Sequence, residues 1–391
     1  MAARPASAGR PRFDIADIVR RHRAALEAWV HLTLAQCRVL SAIELCRTAA
    51  LGGHVDVCRS CGYEHPSYNS CRNRHCPKCQ ALAQEKWIRA RSARQLPVRH
   101  FHVVFTLPAE LRGLVKFRRA QLFNALFAAA SATLLELGAT RLRADLGITM
   151  VLHTWTRDLR FHPHVHAIVT AGGAVRGDPA RWVASSNKYL FPNKVMGLLL
   201  RGKMMVALRA LHARGVFADF NAFADPQAFE QLMTRLASKK WLVYAKKPFR
   251  RAMHVLQYLG RYTHRVAISS SRVVAVTDDA ITWRTKGGKT ATTTPVEFLR
   301  RFVEHVLPDG LHKIRHYGLY AGANTGKLEL ARAGLDSSST PVASAPTDPT
   351  WPALLQRLTG RDIRLCPVCG ATLERVRVAP TARAPPYAVA V

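Results

Sequence analysis

Acidic side chains are scarce in this chain, whose 391 residues include 25 Asp and Glu against 58 Lys and Arg, for a net charge of +33. With so few carboxylates and no convincing trio among them, the sequence argues against catalysis by clustered acidic metal ligands. The positive charge extends along the whole chain. Such an excess indicates a polyanionic partner whose binding weakens with salt. We expect nucleic acid to be that partner, with a membrane surface as the alternative.

Long apolar segments are also missing. No apolar run approaches the ~20 residues that a membrane-spanning helix needs. Residues 1–12 contain arginine, proline and serine but no apolar signal core, so secretion is not expected. These absences predict a cytosolic protein that makes no use of a membrane.

Cysteines are present in a pattern that suits metal binding in a reducing compartment. Seven of the nine lie in clusters, whereas Cys37 and Cys46 stand apart on a predicted helix. Two Cys-x2-Cys pairs, fourteen residues apart, are typical of a structural zinc site with four thiolates. The predicted zinc ligands are Cys58, Cys61, Cys76 and Cys79. Cys71 could replace one of them or belong to a second ion.

A third Cys-x2-Cys pair, Cys366 and Cys369, lies in a small module near the end of the sequence. Two thiolates make only half of a tetrahedral zinc site. We expect the remaining ligands to come from elsewhere in the chain, with His312 and His316 as candidates.

The middle of the chain has the element order β-α-β-β-α-β, once one additional helix is set aside. Alternating apolar residues predict four strands, and segments with helical spacing separate them. The predicted strands are residues 100–107, 148–156, 161–170 and 241–245. Pro248 is placed in the first turn of the next helix, where proline is tolerated. This order predicts an α+β fold with a ferredoxin-like antiparallel sheet and helices on one face.

Changes in composition along the chain predict six segments. A stretch rich in Ser, Thr, Pro and Ala indicates a linker before the last of them. The segments are an N-terminal helical region (1–53), a zinc-binding ribbon (54–80), a catalytic core (98–265), a β extension with a helix (266–335), the linker (336–350) and a C-terminal module with the last Cys-x2-Cys pair (351–391).

Three histidines alternate along the third predicted strand, where residues 161–166 read Phe-His-Pro-His-Val-His. Successive side chains of a strand point to opposite faces, so His162, His164 and His166 share one face. Neighbouring imidazoles suit a divalent cation. A solvated sheet face would explain one histidine but not three at this spacing. We therefore predict a metal site at His164 and His166.

The pairing of this strand with the preceding one predicts a third ligand. A tight turn at residues 157–160 pairs residues whose numbers add up to 317, which places His153 opposite His164 on the same face. His254 and Gln257, on the helix after the last strand, are competing candidates. We favour His153 for its geometry.

Two tyrosines follow on a basic helix. Tyr258 and Tyr262 are four residues apart, so a helix places them on one face. They could be core aromatics, but the positive charge around them and Gly260, which costs about 1 kcal/mol in a helix, favour the approach of a DNA strand. A phenol can attack a phosphate that a metal polarises. The residues predicted to contact DNA are Lys246, Lys247, Arg251, Arg261 and Arg265.

Taken together, these motifs resemble the HUH endonucleases and, within them, the two-tyrosine rolling-circle transposases of the insertion-sequence ninety-one family. The resemblance covers most of the chain. The matching segments are CRTAALGGH (46–54), CRNRHCPKCQ (71–80), HPHVHAIVTAGG (162–173), YLGRYTHR (258–265) and IRHYGLYA (314–321).

The resemblance implies a single-strand DNA nuclease and strand transferase that acts at the ends of its element and at a target site. Tyr258 or Tyr262 would form a 5′-phosphotyrosine link and free a 3′-hydroxyl, with Mg²⁺ or Mn²⁺ on the histidines. Two tyrosines would allow one to hold the donor end while the other cleaves a second strand. The expected location is the bacterial cytosol, in association with the nucleoid.

Three other functions share some of these features. A three-carboxylate transposase would need acidic residues that the chain lacks. A non-catalytic, zinc-dependent DNA-binding regulator would leave the histidines and tyrosines without a purpose. A replication initiator or relaxase shares the chemistry, but the sequence contains no GxxxxGK[ST] motif of an attached helicase. The two-tyrosine transposase is therefore the favoured function.

Overall fold

The structure is a computed structural model that describes residues 12–186, 188–249, 266–336, 350, 352–353, 355–356 and 360–381. This part of the chain divides into two compact units. The described residues of the first unit come from 12–82, 268–306 and 350–381, and those of the second from 83–249, 266–267 and 307–336.

The described helices are α1 (Ile15–Trp29), α2 (Leu34–Leu45), α3 (Ala81–Arg94), α4 (Arg112–Phe117), α5 (Arg119–Leu137), α6 (Asn193–Ala213), α7 (Ala228–Ser238), α8 (Pro295–Val303) and α9 (Thr325–Asp336). The described strands are β1 (Gly53–Val57), β2 (Glu64–Tyr68), β3 (His100–Thr106), β4 (Ala144–Asp145), β5 (Gly147–Trp155), β6 (Phe161–Thr170), β7 (Gly172–Val175), β8 (Asp178–Ala184), β9 (Val243–Phe249), β10 (Val273–Val276), β11 (Ile281–Arg284), β12 (Thr290–Thr293), β13 (Ile314–Gly318) and β14 (Glu374–Val378).

The helical region at the start of the chain consists of two helices. The Asp14 side chain begins α1 by accepting a hydrogen bond from the backbone N–H of Ala16. A capping box begins α2, in which Thr33 and Gln36 each accept a hydrogen bond from the other's backbone N–H. This cap interrupts a segment whose apolar spacing alone suggests continuous helix.

The second unit contains a five-stranded antiparallel sheet in the order β13-β5-β6-β3-β9. Without β13, this is the strand order of a ferredoxin-like sheet, so the predicted α+β fold is confirmed. One face of the sheet packs against α5 and α6, and α7 packs against α6 in the same core. Buried side chains at this interface include Phe101, Phe105, Val165, Phe127, Met204 and Leu232.

Helix α5 is the most apolar helix of the described chain. Residues 119–142 are long and apolar enough to cross a membrane, although no such segment was expected from the sequence, and 67% of the apolar window is buried inside the fold. Leu126 and Phe127 pack in the core of the second unit. Core packing therefore accounts for this composition.

The proline after the fourth predicted strand does not begin a helix. Pro248 lies within β9, which continues to Phe249. Strand β9 is at the edge of the sheet, where a missing N–H is tolerated. The pairing of β9 with β3 also shifts register here, because His102 pairs with Lys246 while His100 pairs with Phe249.

The first unit divides the chain differently from the predicted segments. Strand β14, from the C-terminal module, pairs with β1 in a small sheet of the order β14-β1-β2. Strands β10, β11 and β12 form a second small sheet, and α8 packs against α1. The predicted extension 266–335 is thus shared between the two units, because its sheet and α8 pack with the N-terminal helices while β13 joins the large sheet.

Candidate functional site

A group of four histidines lies on the face of the large sheet opposite α5, on which His162 is also found. Strand alternation buries Val165 in the core and turns His164 and His166 to the other face. His153 pairs with His164 across β5 and β6, as the turn predicts, and the register shifts by one residue only beyond this pair. His102 lies on neighbouring β3.

The imidazole nitrogens of three of these histidines converge. Nε2 of His164 is 3.1 Å from Nε2 of His166. Nδ1 of His164 donates a hydrogen bond to the carbonyl oxygen of His162 at 2.7 Å, which leaves the Nε2 lone pair of His164 for a cation. The ligand atoms of His153, His164 and His166 all lie within 4.8 Å of one another. The three residues therefore form a preformed nitrogen donor set.

His102 supports this donor set from the neighbouring strand. Its Nε2 is 2.7 Å from Nδ1 of His166, and the two rings stack. When His166 Nδ1 donates in this contact, Nε2 is the nitrogen of its ring that carries the lone pair for a metal. His102 was not predicted from the sequence, although His100 and His102 alternate along β3. No short turn connects β3 to β6, so the register that brings His102 beside His166 is evident only from the structure.

Burial keeps these histidines neutral. It lowers the pKa of His164 to about 4 and that of His102 to about 4. Burial, followed by the nearby charges, holds the pKa of His153 and of His166 well below the ordinary value. Those charges include Lys313 for His153 and Lys246 for His166. Neutral imidazole is the form that binds metals.

We expect acid to destabilise the protein when no Mg²⁺ or Mn²⁺ is added. The pKa values of His100, His102 and His164 are each lowered to about 4 by burial, whereas an unfolded histidine titrates at about 6.5. The unfolded state therefore binds protons first as the pH falls from about 6.5 to 4. Each histidine removes roughly 1.4 kcal/mol of unfolding free energy per pH unit in that window.

Urea unfolding at pH 7 and at pH 5 measures this effect. The variant His100→Gln, which removes one of these buried histidines and lies outside the donor set, should show a smaller pH dependence. Equal stability of the natural chain at both pH values would contradict the expectation.

One of the residues predicted to contact DNA lies beside the histidines of the large sheet. The side chains of the others lie outside the described residues. Lys246 is exposed on β9 and pairs with His102 on β3. The side chain of Lys247 lies outside the described residues. So do the predicted nucleophiles, the competing metal ligands and three predicted DNA contacts, which are Tyr258, Tyr262, His254, Gln257, Arg251, Arg261 and Arg265.

The cysteines form two groups of four. The sulfur atoms of each group lie within 4.8 Å of one another. The first group, which we call cluster A, consists of Cys46, Cys71, Cys76 and Cys79. The second group, cluster B, consists of Cys58, Cys61, Cys366 and Cys369.

The predicted grouping of Cys58 and Cys61 with Cys76 and Cys79 is therefore wrong. The hairpin of β1 and β2 separates these pairs, because Cys58 and Cys61 lie at its turn while the other pair follows its open end. Five-residue strands span roughly 16 Å, which is too far for a shared ion. Cys46, expected to stand alone, precedes β1 at the open end and joins cluster A.

The C-terminal pair also has different partners from those expected. Cys366 and Cys369 meet Cys58 and Cys61 instead of His312 or His316. His316 lies on β13, where its Nδ1 is 2.9 Å from the Thr149 hydroxyl.

The sulfur positions fit zinc. A tetrahedral ion with Zn–S bonds of about 2.3 Å holds its sulfurs about 3.8 Å apart. The separation is 3.8 Å between Cys71 and Cys79 in cluster A, and 3.4 and 3.6 Å between the paired sulfurs of cluster B. A disulfide requires about 2.05 Å, and all nine cysteines are free. Both clusters thus have the donors and the spacing of a four-thiolate zinc site.

Comparisons with known proteins assign the two regions that carry these sites. A family described as "Transposase zinc-binding domain" matches residues 18–107, and one described as "Putative transposase" matches residues 147–327. The first match contains all of cluster A, and the second contains His153, His164 and His166. No solved structure shows significant similarity to the chain.

Two relatives match most of the length of the chain. "Putative transposase y4qJ" of Sinorhizobium fredii is 40% identical over 370 residues, which cover 91% of this chain and 92% of that protein. "Transposase for insertion sequence element IS801" of Pseudomonas savastanoi pv. phaseolicola is 29% identical over 318 residues, which cover 78% of this chain and 76% of the relative. On these matches, the chain belongs to the insertion-sequence ninety-one family of transposases, acts on DNA and carries a zinc-binding domain.

Proposed function

We propose that this transposase is a metal-dependent single-strand DNA endonuclease and strand transferase, which works through a 5′-phosphotyrosine intermediate in rolling-circle transposition. The observation that carries the proposal is the convergence of His153, His164 and His166, with the Nε2 atoms of His164 and His166 only 3.1 Å apart. The charge of +33 supports binding to a DNA backbone.

The donor set suits a catalytic divalent cation. Neutral imidazoles bind Mn²⁺ more readily than Mg²⁺, which prefers oxygen ligands, so we expect Mn²⁺ to support higher activity. When bound, the cation would polarise the scissile phosphate. His153, His164 and His166 would hold it, and His102 would orient the ring of His166 through the 2.7 Å contact between their nitrogens.

The tyrosines would act as nucleophiles, and basic side chains would bind the DNA backbone. The phenol oxygen of Tyr258 or Tyr262 would bond to the phosphorus as the bond to the 3′ oxygen breaks, and a proton would end on the freed 3′-hydroxyl. This assignment rests on the Tyr-x3-Tyr motif in the sequence. Lys246, exposed near the histidines, would pair with a neighbouring backbone phosphate, as Lys247, Arg251, Arg261 and Arg265 would on the tyrosine side.

Zinc has a structural role in this proposal. Cluster A lies entirely within the matched zinc-binding domain. Its four thiolates would leave no open coordination position for a substrate. We assign Cys46, Cys71, Cys76 and Cys79 as ligands of a structural Zn²⁺ that folds this region.

A covalent adduct tests the proposal. Labelled single-stranded oligonucleotides that tile the DNA on both sides of the gene are incubated with the protein and Mn²⁺, and the products are separated under denaturing conditions. We expect a protein-bound label, which peptide mass spectrometry places on Tyr258 or Tyr262. The label should be absent with a chelator of Mn²⁺ and in the Tyr258→Phe/Tyr262→Phe double variant.

Two results would contradict the proposal. Binding of the oligonucleotides without any adduct would instead favour a DNA-binding protein that does not cut. An adduct that persists in the double variant would show that another side chain is the nucleophile.

A further inference from the structure

We propose that cluster B binds a second zinc ion, which fastens the C-terminal hairpin of the chain to its N-terminal ribbon. The matched zinc-binding domain ends at residue 107, so it contains only half of this site. The proposal concerns the fold of the first unit and does not depend on the nuclease chemistry.

The two halves of cluster B have the same sequence pattern and the same backbone conformation. Residues 58–62 read Cys-Arg-Ser-Cys-Gly, and residues 366–370 read Cys-Pro-Val-Cys-Gly. The N–H of the glycine donates to the carbonyl oxygen of the first cysteine in both, at 3.0 Å for Gly62 and 2.9 Å for Gly370. Both glycines are left-handed, with φ of +72° and +79°. Each half is thus the tight turn of a zinc knuckle, and the glycine permits that turn.

A second hydrogen bond recurs in both halves and closes each turn into a hairpin. The N–H of Cys58 donates to the carbonyl oxygen of Tyr63, and the N–H of Cys366 donates to that of Ala371, both at 2.8 Å. The repeated geometry brings two thiols from each turn together. Cys58 faces Cys369 at 3.4 Å between sulfurs, and Cys61 faces Cys366 at 3.6 Å. Two matching knuckles thus present four thiols to a common centre.

Strand pairing places the two knuckles at the same end of the ribbon. Strand β14 runs antiparallel to β1, with Val57 opposite Glu374. Two ion pairs reinforce this register, since Arg375 contacts the buried Asp56 at 2.7 Å and Arg59 contacts Glu374 at 2.7 Å. The strand pairing therefore brings the two knuckles together, and cluster B forms at this end of the sheet.

The hairpin has no core of its own to hold it in place. Cys366 is the only buried residue among the described residues 360–381. Exposed ion pairs contribute little to stability, whereas a structural zinc ion can supply much of the folding free energy of a small domain. A metal in cluster B would thus account for the stability of a hairpin that buries almost nothing else.

Clusters A and B differ in accessibility. Three of the four cysteines of cluster A are buried, whereas Cys61 and Cys369 of cluster B are exposed. A chelator can approach the exposed thiolates more easily. We therefore expect cluster B to lose its zinc first.

The zinc content of the purified protein tests the proposal directly. The purified full chain should hold two zinc ions per molecule, and the Cys366→Ser/Cys369→Ser double variant should hold one. The Cys37→Ser control should hold two, because Cys37 belongs to neither cluster. Graded chelation of the natural chain should release one ion before the other. Trypsin should cut after Arg375 and Arg377 faster in the double variant than in the control.

A conservative variant separates loss of the site from general misfolding. Cys369→His keeps a zinc ligand at that position and should retain two ions, whereas Cys369→Ser should release the second ion more easily. One zinc ion in the natural chain, or two tightly held ions in the double variant, would overturn the proposal. Equal zinc retention by Cys369→His and Cys369→Ser would overturn it as well, even if the double variant fails to fold.

Discussion

Replacement of His164 by alanine is expected to slow the cleavage of single-stranded DNA by about a thousandfold, which corresponds to about 4 kcal/mol of barrier. The imidazole of His164 is one of the three converging donors, with its Nε2 atom 3.1 Å from that of His166 and its strand partner His153 opposite. Its loss leaves two ligands, which bind a divalent cation weakly. A weakly held cation gives up several kilocalories of charge stabilisation at the phosphate.

Two measurements on the His164→Ala variant test this prediction. Single-turnover cleavage gives the rate, and calorimetric titration with Mn²⁺ shows the weaker binding in the absence of DNA. Because the His164→Ala substitution keeps the strand and its core face unchanged, the circular dichroism spectrum should match that of the natural chain.

His162→Ala is the matched control. His162 lies on the same strand and the same face, but it is not one of the three converging donors. Its backbone carbonyl accepts the hydrogen bond from Nδ1 of His164, which the substitution keeps, while the ring contact with His164, at 5.2 Å between centroids, is removed. We expect cleavage within about tenfold of the natural rate, since the metal ligands are intact. Equal losses in the two variants would show that the histidines act through the fold and not through a metal.

Replacement of Cys76 by serine is expected to unfold the zinc-binding region. Between residues 46 and 80, Leu51 is the only buried large aliphatic or aromatic side chain. A region with so little apolar burial cannot offset its conformational entropy. The zinc ion of cluster A would supply about 10 kcal/mol or more, and three thiolates hold it far less tightly than four.

Limited proteolysis and zinc analysis test this expectation. The variant should lose the ion of cluster A and become sensitive to trypsin between residues 46 and 80, while the second unit resists digestion. Cys37→Ser is the control, because Cys37 is half-buried on α2 and outside both clusters. A variant with full zinc content and unchanged proteolysis would show that cluster A does not stabilise the region through metal.

The histidine site could be predicted from sequence because its determinants are local. Alternation along one strand fixes the shared face of His164 and His166, and a four-residue turn fixes the register that brings His153 opposite His164. No distant part of the chain is needed for these relations. His102 was missed for the opposite reason, since its contact with His166 depends on the register between β3 and β6, which no short turn connects.

The cysteine groups could not be predicted because they depend on pairing between distant segments. Sequence spacing correctly identified the Cys-x2-Cys pairs. Which pairs share a cluster, however, depends on how β1, β2 and β14 pair and on which of their ends lie together. Cys58 and Cys369 are 311 residues apart in the chain. Pro248 shows the same limit of prediction from local sequence, because a proline suits either a helix start or an edge strand. Its place is determined by the pairing of β9 with β3.

The ribbon's dependence on β14 has a consequence for synthesis. Because Cys61 and Cys366 are separated by 305 residues, a ribosome translates most of the message before the last strand of that sheet emerges. A frameshift or premature stop codon late in the gene would leave the large sheet and its histidines intact while depriving the ribbon of its final strand. Decayed copies of the element that end in this way would encode polypeptides with the histidine sheet complete and the zinc-binding ribbon unfinished.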